Sequence, residues 1–65
     1  MQIGDLIKII NDCKGYETGE WPSHHYINAG DHAILVSEPD EFQCIEILIG
    51  GIILGSVPSA HARAA

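Results

Sequence analysis

Positive charge is scarce in this sequence: two lysines and one arginine stand against nine acidic residues in a chain of 65, a formal charge of −6. A phosphate backbone would be repelled and no basic patch exists to release its counterions, so nucleic acid is not expected as a partner. Cysteine is scarcer still. Cys13 and Cys44 cannot build the disulfide framework that staples many small secreted domains. The opening Met1-Gln2-Ile3-Gly4-Asp5 has no basic flank ahead of an apolar run, so no signal peptide is expected and both thiols read as reduced in a cytoplasmic protein. Long hydrophobic runs are missing too. The longest, Ile47 to Leu54, is interrupted by two glycines and falls far short of the roughly 20 residues of a membrane span.

Motifs that announce chemistry are also absent. His24, His25, His32 and His61 fall into none of the short paired spacings with each other or with the cysteines that zinc demands. There is no nucleophile elbow, phosphate loop or dinucleotide fingerprint. A chain of this length has little room for the roughly 300 Å³ pocket of a small-molecule site. Neither catalysis nor a metal, cofactor or small-molecule substrate is expected. A redox- or metal-responsive protein would need the topology to bring Cys13, Cys44 and the histidines together.

What is present is a series of β-forming segments divided by turn signals. Gly4 to Ile10 is rich in isoleucine and stops at Asn11-Asp12, which predicts a strand. Residues 11–30 show neither a period of 2 nor of 3.6 and read as a long loop, functional or concealing a short hairpin. Gly30-Asp31 turns the chain into a strand from His32 to Glu38, which ends at Pro39-Asp40. Phe42 to Ile49 and Ile52 to Val57 flank Gly50-Gly51, the signature of a tight hairpin, because glycine supplies the positive φ that primed turns require. Residues 58–65 read as a turn and tail.

With Gly50-Gly51 as the loop, Ile49 pairs with Ile52, Ile47 with Leu54 and Ile45 with Ser56 on the core side. The opposite face then carries Cys44, Glu46, Leu48, Ile53, Gly55 and Val57. That is too apolar for a solvated surface, so a second subunit, the long loop or the tail is expected to cover it.

This order of elements resembles an SH3-like barrel. Gly4-Asp5-Leu6-Ile7-Lys8-Ile9-Ile10 is similar to the Gly-Asp-plus-apolar strand of that family. Gly55-Ser56-Val57-Pro58-Ser59 is similar to its closing Pro-Ser corner, although Ala60 and His61 stand where the family has asparagine and tyrosine. The resemblance implies an all-β fold, a single SH3-like barrel over residues 1–65 with about five short strands. The small SH3-like proteins of bacteria and tailed phages match better than eukaryotic SH3 domains. The aromatic opening stretch of the latter is missing, and Phe42-Gln43 occupies the place of their tryptophan pair. Without that aromatic shelf, proline-rich peptide recognition is not implied.

The function expected on these grounds is a non-catalytic interaction or assembly module, cytoplasmic, or virion-associated if phage-encoded. It would dock on a protein partner or a second copy through Leu48, Ile53 and Val57. The alternative is a monomeric adaptor or inhibitor that holds a peptide or host protein with Tyr16, Glu17, Glu20, Trp21 and Tyr26. That group combines acidic side chains with the aromatic types enriched at binding hot spots, but Trp21 and a tyrosine serve equally well as core over the barrel's open end.

Overall fold

The computed structural model describes residues 1–18 and 23–65 and folds them into one antiparallel sheet. Its strands are β1 (Leu6–Ile9), β2 (Cys13–Glu17), β3 (His24–Ile27), β4 (His32–Leu35), β5 (Cys44–Ile49), β6 (Ile52–Pro58) and β7 (Ala62–Ala64), with a single 3-10 turn (Ser59–His61) before the last. Their order across the sheet is β3-β2-β6-β5-β4-β1-β7. No helix among the described residues is long and apolar enough to cross a membrane.

The all-β expectation agrees with this fold, but the strand count of about five and two of the segment assignments need correction. Residues 11–30, read as a long loop that is functional or conceals a short hairpin, contain the β2–β3 hairpin, in register from Cys13 opposite Ile27 to Tyr16 opposite His24. The tail over 58–65 contains the turn and β7, which pairs with β1 through Ile9 opposite Ala62 and Lys8 opposite Arg63.

The core is a single cluster of Ile7, Ile9, Ile27, Ala33, Leu35, Ile45, Ile47, Leu54, Val57 and Ala62. Ile27 lies on one edge strand and Ala62 on the other, so the sheet must curl to bring its two ends over the same apolar centre. No polar or charged residue is buried among the described residues. Strand β2 contributes no large side chain. Its one fully buried position is Gly15, where a Cβ would lie 2.8 Å from the Leu54 Cβ and 3.0 Å from the Ile27 Cδ1.

The Gly50-Gly51 hairpin forms as read, with φ of +58° and +81° at the two glycines and Ile49 opposite Ile52, Leu48 opposite Ile53 and Ile47 opposite Leu54. Beyond Leu54 the register slips by one, so that Ile45 faces Val57 instead of Ser56. Strand β6 therefore carries one extra residue: Gly55 and Ser56 together span Glu46, and Ser56 takes a φ of +58°. This is a β-bulge. A one-residue slip exchanges the two faces of a strand, so Val57, expected outside with Leu48 and Ile53, is fully buried and Ser56 is exposed.

Two glycine sites test this account. Replacing both Gly50 and Gly51 with Val puts β-branched residues at positive φ and should cost more than about 2 kcal/mol in urea denaturation. Gly15→Ala should cost about 1–3 kcal/mol by overpacking against Leu54. An unchanged midpoint for the alanine variant would mean that β2 does not press on Leu54.

Candidate functional site

Residues directly opposite each other on neighbouring strands project from the same side of a sheet. Leu6 faces Ile34, Ile34 faces Leu48 and Leu48 faces Ile53. These four make an unbroken apolar row across β1, β4, β5 and β6 on the side away from the core, about 15 Å long at ordinary strand spacing. Leu6, Leu48 and Ile53 are 52%, 39% and 42% exposed, and Ile34 is half-buried.

The flanks of this row differ in charge. On one side, two residues further along β1 and β4, Lys8 stands opposite both His32 and Arg63. Lys8 and Arg63 also line an open cleft of about 490 Å³ with Ile10 and Gly30. On the other side of the row, two residues along β5 from Leu48, is Glu46. It lines a second cleft of about 400 Å³ together with Glu38, Asp40, Cys44 and Ser56, and no lysine or arginine lines it. The Asp40 carboxylate accepts the backbone N–H groups of Phe42 and Cys44 at 2.8 and 2.9 Å. The Ser37 hydroxyl accepts that of Glu46 at 3.0 Å, tying the 36–43 loop to β5.

The residues expected on the long loop are split. Tyr16, His24 and Tyr26 share the outer side of the β2–β3 hairpin, with ring centroids 6.2 Å apart for Tyr16 and His24 and 5.6 Å for His24 and Tyr26. The Lys14 Nζ lies 5.4 Å from the Tyr26 centroid. Glu17, next along the strand, projects from the other side and meets the His25 Nε2 at 3.0 Å. Both partners of that pair are more than a third exposed, and such pairs add little to stability. Among the described residues, Glu17 therefore lies on the opposite side of the hairpin from Tyr16 and Tyr26. Glu20 and Trp21 lie outside the described residues.

Cys13 and Cys44 are separate free thiols, and no group of three or more histidine, cysteine or acidic side chains converges on one point among the described residues. Burial pushes the Cys13 thiol above its ordinary pKa, and the neighbouring Asp12 carboxylate adds to the shift. Comparison with protein-family models, curated proteins and solved structures finds no match.

Leu48 and Ile53 were legible in the sequence because the Gly-Gly turn fixes their register. Leu6 and Ile34 were not, since the β1–β4 and β4–β5 pairings span long connections. The same holds for Lys8 and Arg63, which are 55 positions apart (63 − 8) and meet only through β7.

A raised thiol pKa means less thiolate at a given pH and slower alkylation. Asp12→Asn removes the adjacent charge, lowers the Cys13 pKa and should speed alkylation of Cys13 at pH 8, read by peptide mass spectrometry. An unchanged or slower rate would show that the Asp12 charge does not reach the thiol.

Proposed function

We propose that this chain is a non-catalytic interaction or assembly module of the SH3-like barrel type, docking on a protein through the outer face of β1, β4, β5 and β6. The observation that carries the reading is the row Leu6–Ile34–Leu48–Ile53. Full burial of each such side chain is worth about 1.5–3 kcal/mol, and a domain this small has few other sources of stability. Neither β7 nor the β2–β3 hairpin is paired or packed over the row: β7 extends the sheet beyond β1 and the hairpin extends it beyond β6.

Support for the barrel comes from the sheet's curl around one core, from β1 pairing with both β4 and the last strand, and from the 3-10 turn at Pro58-Ser59 that redirects the chain into β7. A place as a structural or accessory protein of a bacterium or phage, cytoplasmic or in the virion, accords with this kind of surface. The acidic balance favours a protein over a nucleic acid as the occupant.

A second reading has its own support. Tyr26 is 71% exposed beside Tyr16 and His24, and this aromatic surface would serve a monomeric adaptor or inhibitor gripping a peptide or host protein.

Photoactivatable residues at positions 53 and 26 separate the two. Irradiating cells that make the protein should give a higher-mass adduct from position 53 and none from 26. An adduct from 26 alone would transfer the function to the hairpin, and none from either would remove the case for docking.

A further inference from the structure

We infer that the occupant of the apolar row is a second copy of this chain, related by a two-fold axis, with Lys8 and Arg63 of each copy set against Glu46 of the other. The inference rests on the docking reading above and adds the identity of the partner.

The placement of the cations carries it. Of three lysine and arginine residues in the chain, two stand directly opposite each other on β1 and β7. Like charges so placed destabilise a sheet, and nine acidic residues were available to separate them. Among the described residues neither cation has a carboxylate within 4.0 Å. Folding alone gives no reason for the pair.

Across the row, Glu46 with Glu38 and Asp40 forms the opposite case, three carboxylates lining a cleft to which no lysine or arginine contributes. Lys8 and Glu46 each lie two residues along their strands from the row, on opposite sides, so about 13 Å of strand direction separates the two flanks. Lys8 is on β1 and Glu46 on β5, two strands apart with Ile34 of β4 midway between them, so a two-fold axis lying in the face, inclined to the row and passing through Ile34, exchanges the two charged positions and sets Ile34 against Ile34 where the two rows cross. An acidic partner would answer only Lys8 and Arg63, and a basic one only the carboxylates. A second copy answers both at once, as an isologous contact does.

The net charge of −6 on each copy opposes association at long range. That repulsion is largely screened beyond about 8 Å at physiological salt, while groups in contact are not.

Sedimentation velocity at micromolar concentration and 0.15 M salt tests the proposal, with circular dichroism to show that each variant is folded. The native protein should be a dimer. Lys8→Glu with Arg63→Glu in one chain, and Glu46→Lys in another, should each weaken self-association by about tenfold or more, since each sets like charges against like. An equimolar mixture of the two should dimerise again, because the exchanged charges are complementary at both contacts. Glu17→Lys should leave the dimer intact. A native monomer, a dimer indifferent to both reversals, or a mixture that stays monomeric would each overturn the proposal. A native monomer that still gives an adduct from position 53 with a different protein would leave the docking face standing and remove only the second copy as its occupant.

Discussion

The extra residue in β6 at Gly55–Ser56 decides which side chains of the C-terminal half belong to the core. Before it, Leu54 points inward; after it, Val57 points inward instead of outward, and both join the same cluster. The same place receives β2, which among the described residues pairs with β6 through Tyr16 opposite Gly55 and Glu17 opposite Leu54. That short contact holds because Gly15 has no Cβ to keep β2 off Leu54. A bulge bends its strand and increases local twist, and this one lies where the sheet passes from its β4–β5–β6 centre to the β2–β3 hairpin. Curl, core membership and the docking of the hairpin thus depend on one local irregularity.

Part of this was legible in the residues. Isoleucine-rich runs, glycine-bounded turns and the Gly50-Gly51 signature specify an all-β chain and the register near that turn, because those signals act over a few residues. The β2–β3 hairpin left no such trace. The inward positions of β2 are Cys13, Gly15 and Glu17, so the small residue that close packing requires erases the alternation by which a strand is recognised. In β3 only Ile27 is buried. Strand β7 is Ala-Arg-Ala, a sequence with little intrinsic preference for extended structure, fixed by pairing with β1. Uninterrupted alternation puts Val57 on the wrong side because it runs through the bulge; Gly55, a glycine inside a strand pattern, is its one local sign, while the positive φ falls on Ser56, a residue type that rarely adopts it.

The outer face follows from registers set by the whole fold. Leu6, Ile34, Leu48 and Ile53 come from four segments whose alignment no local pattern determines, and the row exists only once β4 lies between β1 and β5. Charge obeys the same rule. A sequence with three cations looks uniformly acidic, yet the sheet gathers two of them on one flank and leaves three carboxylates on the other. The mean charge of the chain is a poor guide to the potential a partner would meet on this face.

The two strands at the ends of the sheet, β3 and β7, are four and three residues long. Each offers few unpaired backbone groups, and β7 places Arg63 at its centre. Short, charged edges discourage strand-by-strand addition, the mode of growth that has no natural stopping point. A face, unlike an edge, is used up when one symmetric contact forms. If the face docks as proposed, a chain built this way can present apolar surface at high concentration and close a particle of fixed size instead of growing a fibre.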